Sequence, residues 1–143
     1  MTQQTTLTKL VAFYQTLDAH QLQQLAEIYH TDVCLADPVG EHHTLPVVEN
    51  YFASLLKNMH YCRFEVSEAH LLDGAALLIW QMVYAHPALQ RGAGQRLAGS
   101  SYLQFRDDKI SFQRDYYDMG AMLYEKIPVL GSVIRQLKKR LTP

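Results

Sequence analysis

The spacing of apolar residues changes near Tyr61, and no other feature of the chain limits the fold as strongly. Before that point apolar side chains recur every three or four residues, from Leu7 to Leu17 and again from Val48 to Met59. After it they alternate with polar side chains, beginning with Phe64 and Val66. The first period is that of a helix and the second that of a strand. Helices followed by strands predict an α+β domain with helices on one face of a curved sheet.

The elements before Gly120 can be bounded from these periods and from turn residues. Three helices are predicted, near Leu7–Leu17, at Leu22–Tyr29, and from Thr44–Pro46 to Met59. A brief β-prone run at Val33–Ala36 stops at the sequence Asp37-Pro38-Val39-Gly40. Longer strands are predicted from Tyr61, at Ala75–His86, at about Arg96–Arg106 and at Lys109–Tyr117.

Composition excludes several classes of protein. The 143 residues are enough for one domain, 1–143, with its own core, and a net charge of -1 gives no case for a nucleic-acid partner. The two cysteines, Cys34 and Cys62, form no CxxC motif and have no zinc-site spacing. Met1–Thr8 is polar and no apolar run approaches the roughly 20 residues of a membrane span. We therefore expect a cytoplasmic protein.

The most unusual stretch is Arg114-Asp115-Tyr116-Tyr117-Asp118, which places charges inside a β-prone aromatic segment. Such charges must be paired with other groups, exposed to solvent or part of a functional site. Their direction depends on the preceding turn. A three-residue turn at Arg106–Asp108 would put Asp115 on the side of Leu103 and Phe105, whereas a two-residue turn at Asp107–Asp108 would put Arg114, Tyr116 and Asp118 there. The sequence leaves both arrangements open.

The element order, together with Leu35-Ala36-Asp37-Pro38-Val39-Gly40, resembles the nuclear transport factor 2-like superfamily in its SnoaL-like and ketosteroid-isomerase branch. This resemblance implies a cone-shaped α+β barrel in which a strongly curved mixed or antiparallel sheet wraps three N-terminal helices around an apolar pocket. The segment Gly120–Gly131 resembles an uncharacterised bacterial subgroup of the same superfamily. Residues 120–143 are predicted to form an additional C-terminal helical extension.

The resemblance also implies a catalytic site. The aspartate of the Asp-Pro-Val-Gly segment is the general base of ketosteroid isomerases, which assigns that role to Asp37. The chain departs from the isomerase pattern at the oxyanion hole, where Phe13 and Ser101 stand at the tyrosine and second aspartate positions. In polyketide-cyclase and epoxide-hydrolase relatives, acids on the late strands act, which makes Asp115 the second catalytic candidate. The residues expected to contact a substrate are Tyr14, Tyr51, Trp80, Ser101, Gln113, Tyr117 and Asp118.

Each of these residues also has a structural interpretation. Asp37 is able to start an Asp-Pro turn, and Asp115 to form an ion pair with Arg114. Asp118 is well placed to cap the following helix. The aromatic residues are typical of a core as well as of a pocket with polar tips. Adjacent histidines such as His42 and His43 are usually solvated, so we predict no metal.

The function that this sequence favours is acid/base catalysis without a cofactor, of isomerase, cyclase or epoxide-hydrolase type, on a small hydrophobic molecule. The alternatives are a non-catalytic ligand- or lipid-binding or accessory protein, and a purely structural dimer. We expect a homodimer. The C-terminal helix has an apolar face and a basic face, which predicts either packing on the domain or a neighbouring subunit, or weak contact with an anionic membrane surface.

Overall fold

The computed structural model, which describes residues 2–142, begins with three α-helices. They are α1 (Gln3–Gln15), α2 (Leu25–Ile28) and α3 (Leu45–Asn58), with a 3-10 turn at Ala19–Gln24 before α2. Helix α1 starts at Thr2, whose hydroxyl accepts a hydrogen bond from the amide of Thr5. The second helix is shorter than predicted, because residues 22–24 belong to the 3-10 turn and Tyr29 belongs to the first strand. The third helix has proline in its first turn, as predicted.

Six strands form one mixed sheet in the order β2-β1-β6-β5-β4-β3. Their bounds are β1 Tyr29–Asp37, β2 Gly40–His43, β3 Tyr61–Leu71, β4 Ala75–Ala85, β5 Gln95–Arg106 and β6 Lys109–Tyr117. Only the β1–β6 pairing is parallel. The sheet curves around the helices, which confirms the predicted cone-shaped α+β fold. Strand β2 was missed because its polar sequence carries no apolar alternation.

The β5–β6 hairpin decides the direction of every side chain on the last strand. Its turn has two residues, Asp107 and Asp108, both with positive φ. Farther along, Phe105 pairs with Ile110 and Gln104 with Phe112, which leaves a one-residue bulge on β6. The bulge shifts the register by one position, so Asp115 lies opposite the buried Ser101. Asp115 therefore faces the interior despite the two-residue turn.

The chain after the sheet forms α4 (Met119–Met122), a 3-10 turn at Tyr124–Lys126 and α5 (Pro128–Leu141). Met122 and Leu123 pack against the core. Helix α5 instead packs on the preceding turn, and Gly131 is the only buried residue of this helix. No helix within residues 2–142 is long and apolar enough to cross a membrane.

Candidate functional site

An enclosed inner cavity of about 30 Å³ lies between α1, α3 and the concave face of the sheet. Such a space holds a water molecule or a small head group. It is lined by Tyr14, Tyr51, Phe52, Leu55, Phe64, Trp80, Met82, Asp115, Tyr117 and Met122. Five predicted site residues thus meet at one place, with Asp115 as the only carboxylate among these lining residues.

The Asp115 carboxylate is held by one of its two oxygens. Its Oδ1 accepts hydrogen bonds from the Ser101 hydroxyl at 2.6 Å and from Nε2 of Gln113 at 2.9 Å. Ser101 is fixed in turn by Nε1 of Trp80, which donates to its hydroxyl at 2.9 Å. No side chain within residues 2–142 donates to Oδ2 of Asp115. That oxygen is available to a ligand.

Gln113 is the centre of the buried polar network behind the cavity. Its Nε2 donates to the Tyr14 hydroxyl at 2.7 Å, and its Oε1 accepts from the Tyr29 hydroxyl at 2.7 Å. Gln113 is fully buried, and its amide groups are paired as the burial of polar groups requires. Gln113 and Ser101 therefore lie behind Asp115 and orient it, and they do not line the cavity.

Burial raises the pKa of Asp115 from its ordinary value of 3.8 to about 6. The hydrogen bonds from Ser101 and Gln113 act in the opposite direction, and the nearby charge of Asp37 adds to the increase. A carboxyl group with this pKa exchanges protons near neutral pH. Burial and the same carboxylates raise the pKa of the Tyr117 hydroxyl, so Tyr117 remains a proton donor.

Asp37 is held more completely than Asp115. Its Oδ1 accepts from the amides of Val39 at 2.9 Å and Gly40 at 3.1 Å, and its Oδ2 accepts from the Tyr51 hydroxyl at 2.6 Å. Its side chain is only 1% exposed. Asp37 thus forms the turn that the structural interpretation predicted, and it meets the inner cavity through Tyr51.

His42 is a site residue that the sequence reasoning missed. Its ring stacks on Tyr51 with centroids 4.1 Å apart, and its Nε2 lies 3.8 Å from Oδ2 of Asp37. That nitrogen is buried and has no hydrogen-bond partner in the described part of the chain. The sequence signal that could have identified His42 is the turn at Asp37–Gly40. This turn starts a hairpin, and strand pairing in the hairpin places His42 opposite Leu35.

Asp37 and Asp115 also line an open groove of about 500 Å³, together with Pro38, Arg114, Tyr116, Tyr117 and Asp118. Arg114 forms no ion pair with Asp115 within residues 2–142, so that structural interpretation is wrong, and its guanidinium lies 5.9 Å from the Phe112 ring centroid. Asp118 caps α4 by accepting from the amide of Ala121 at 3.2 Å, as its structural interpretation predicted.

A second, apolar cavity of about 310 Å³ adjoins the inner one. Tyr51, Leu55 and Met122 line both cavities. The remaining lining residues of this outer cavity are Ser54, Asn58, Met59, His86, Ala88, Leu89 and Leu123. The lining contains no carboxylate. The outer cavity thus lies next to the inner one, which Asp115 lines.

The adjacent histidines do not act together. His42 faces Tyr51, whereas Nε2 of His43 lies 3.0 Å from the Glu41 carboxylate. Cys34, Glu41 and His43 bring three potential ligand atoms within 4.8 Å of one another on the hairpin. The absence of a metal site therefore stays a prediction.

The sequence pattern of the SnoaL-like domain matches residues 10–113, which is most of the chain. The chain belongs to the SnoaL-like domain family. The match includes Asp37, Ser101 and Gln113 but ends before Asp115. No curated protein matches the chain.

Solved structures show the same SnoaL-like fold. A putative SnoaL-like polyketide cyclase from Jannaschia sp. CCS1 is 10% identical, with a TM-score of 0.75 over 89% of this chain and 92% of the other. A putative hydroxylase, AclR, from Streptomyces galilaeus is 17% identical, with a TM-score of 0.69 over 97% and 90%. A hypothetical protein with a ketosteroid isomerase-like fold from Catenulispora acidiphila is 13% identical, with a TM-score of 0.71 over 85% and 91%.

Proposed function

We propose that this SnoaL-like domain is a cofactor-independent acid/base catalyst of isomerase or cyclase type, in which Asp115 moves a proton on a small apolar carbonyl compound. The observation that carries the proposal is the state of the Asp115 carboxyl group. One oxygen is fixed by Ser101 and Gln113, the other has no donor within residues 2–142, and the pKa is about 6. Proton transfer near neutral pH requires a positioned group of this kind.

The cavities indicate the shape of the substrate. The inner cavity of about 30 Å³ admits only a small head group, whereas the outer one of about 310 Å³ is apolar. A compound with a compact carbonyl head and an apolar body fits this pair, with the head beside Asp115. Tyr51, Leu55 and Met122 line both cavities and contact the molecule where head and body meet.

The chemical role of each polar group depends on whether it already has a hydrogen-bond partner within the protein. Oδ2 of Asp115 takes a proton from the carbon next to the carbonyl group. The electrons of that C–H bond form a carbon–carbon double bond, and the π electrons of the carbonyl group move to its oxygen. Tyr117 donates to this oxygen as its charge develops, because the Ser101 hydroxyl already donates to Asp115. The protonated Asp115 then returns the proton to carbon. Asp37 holds Tyr51 in place through the bond between them.

The test is exchange of carbon-bound protons in deuterated water, followed by NMR. The probes are straight-chain methyl ketones from butanone to undecanone, which share a small head and differ only in the apolar tail. We expect the wild type to accelerate exchange next to the carbonyl group, with rates that increase with tail length and with pH through about 6. Asp115→Asn should lower the rate at least about 100-fold.

Asp118→Asn is the matched control, because this exposed carboxylate sits near the same strand end but caps a helix. It should retain the wild-type rate. Thermal unfolding of each variant shows that the loss is not a loss of fold. Exchange by the wild type that is no faster than by Asp115→Asn, across all ketones, would refute catalysis by Asp115.

The second candidate function is ligand binding without catalysis. The feature that favours it is the outer cavity, which is about ten times larger than the inner one and has no carboxylate in its lining. Trp80 is the only tryptophan of the chain and lines the inner cavity, so its fluorescence reports occupation. Quenching by the long ketones in both wild type and Asp115→Asn, with no exchange in either, would identify a carrier.

A further inference from the structure

Helix α5 carries an apolar face that the domain leaves uncovered. Its exposed apolar side chains are Val129 at 78%, Leu130 at 41%, Val133 at 48%, Leu137 at 52% and Leu141 at 85%. At 100° per residue these side chains fall on one side of the helix. Fourteen residues make this apolar strip about 21 Å long.

The side of α5 that meets the domain is the polar one. Lys138 forms a salt bridge with Glu125 at 2.9 Å, and Nη1 of Arg135 donates to the Glu125 backbone oxygen at 2.9 Å. Gly131 lies against the same backbone, where a Cβ atom would clash with the Glu125 oxygen. These contacts fix the helix with its apolar face turned away from the sheet and cavities. An amphipathic helix packed on its own core has the opposite orientation.

The charges of α5 identify what covers this face. The helix contains Arg135, Lys138, Lys139 and Arg140 and no acidic residue. Lys139 and Arg140 form no ion pair within residues 2–142. At the same 100° per residue, Arg140 falls among the apolar side chains in the last turn of the strip, whereas Lys139 lies on the polar side. An apolar strip that carries a cation at its end, on a helix without acidic residues, matches the boundary of a bilayer with anionic headgroups. The same face on a second copy offers these cations no acidic partner on the helix.

We propose that α5 docks this protein on an anionic phospholipid bilayer, with Val129, Val133, Leu137 and Leu141 buried at the headgroup boundary, Arg140 on the phosphates, and Lys139 on the other side of the helix but still near the anionic surface. Met122 and Leu123 line the outer cavity and lie just before the Tyr124–Lys126 turn that supports α5. Docking therefore holds the outer cavity close to the membrane surface, where apolar compounds concentrate. The proposal does not depend on catalysis by Asp115.

Sedimentation with vesicles tests the proposal on the full chain. At low salt we expect the protein to sediment with vesicles of equal parts phosphatidylcholine and phosphatidylglycerol, and to remain in solution with phosphatidylcholine alone. The double variant Val133→Gln/Leu137→Gln should lose at least tenfold in affinity. It should keep its thermal stability, because both side chains are half-exposed. Ser132→Gln, an exposed change on the polar side of α5, is the matched control and should bind like the wild type.

A second pair of variants separates charge from apolar contact. Lys139→Gln/Arg140→Gln should weaken binding about tenfold to thirtyfold, since each cation near an anionic surface contributes roughly a factor of five. Lys57→Gln/Arg91→Gln removes two exposed cations elsewhere and should have little effect. Failure of the wild type to sediment at low salt, or equal binding to both vesicle types, overturns the proposal. So does a dimer that Val133→Gln/Leu137→Gln dissociates while no vesicle binds.

Discussion

Ser101 and Asp115 lie directly opposite each other on β5 and β6, and the Ser101 hydroxyl donates to Oδ1 of Asp115 at 2.6 Å. The family resemblance places Ser101 where ketosteroid isomerases have their second aspartate. In this chain the serine does not replace that acid. It instead anchors a carboxylate from the neighbouring strand, so the acidic group of the cavity comes from β6.

The pH dependence of stability should report the burial of Asp115. Its folded-state pKa of about 6 exceeds the ordinary value of 3.8, so the stability that this group contributes is present below about pH 4 and lost as pH rises through about 6. Asp115→Asn cannot ionise and still accepts from Ser101 and Gln113. We expect it to be more stable than the wild type near pH 8, by at most about 3 kcal/mol, and similar near pH 4.

Urea unfolding of both proteins at the two pH values measures this difference. Asp118→Asn is the control, because its side chain is exposed. An Asp115→Asn variant that is less stable than the wild type at both pH values would mean that the carboxylate supports the fold.

Removing the amide of Gln113 should be costly. Gln113→Leu removes the hydrogen bonds between the Gln113 amide and the buried hydroxyls of Tyr14 and Tyr29, whereas Oδ1 of Asp115 keeps the Ser101 hydroxyl as a donor. Buried groups that lose their hydrogen bonds cost about 1–3 kcal/mol each, so the two hydroxyls predict a loss of about 2 kcal/mol or more in unfolding free energy. Gln104→Leu, an exposed glutamine on β5, should change it by less than about 0.5 kcal/mol. A similar effect of both changes would contradict the network.

The bond between Tyr51 and Asp37 gives a third prediction. Tyr51→Phe keeps the ring that stacks on His42 but removes the donor to Oδ2 of Asp37, whose side chain is 1% exposed. A lost hydrogen bond to a charged group costs about 1.5–3 kcal/mol, and denaturant unfolding should show a loss in that range. Tyr61→Phe changes a largely exposed tyrosine and should be neutral. Equal stability of Tyr51→Phe and the wild type would show that water replaces the hydroxyl.

The hairpin turn offers a stabilising change. Asp108 has a φ of 60°, a left-handed conformation that costs a non-glycine residue about 1 kcal/mol. Asp108→Gly removes this cost and keeps the backbone oxygen that accepts from the Thr6 hydroxyl. We expect a gain of about 0.5–1 kcal/mol, seen as a higher melting temperature. Asp73→Gly, in a turn position without positive φ, should give no gain.

Local sequence patterns were sufficient to predict most of the helices and strands. The bounds of β5 and β6 were predicted to within one residue, because a loop with Gly92 and Gly94 precedes them and a polar turn at Asp107–Asp108 separates them. The helix at Leu45–Asn58 was predicted for the same kind of reason, from proline in its first turn and a wide apolar stripe. Strand β2 could not be predicted, because Gly40–His43 acquires its structure only by pairing with β1.

Sequence reasoning named five of the residues that line the inner cavity, but not their arrangement. Tyr14, Tyr51, Trp80 and Tyr117 were named from resemblance and composition, and all four line the inner cavity with Asp115. The stacking of His42 on Tyr51 depends on how strand β2 packs against helix α3, so no sequence period reveals it.

The sequence by itself determined most of the elements, the family and most of the polar residues available for chemistry, since each of these depends on local period or on short motifs. Only the tertiary structure decided where those residues point. One bulged residue on β6 turned Asp115 inward, because a shift of one position in a strand moves each side chain to the opposite face. Contacts with Glu125 likewise turned the apolar face of α5 outward, although the helical period alone is compatible with either orientation.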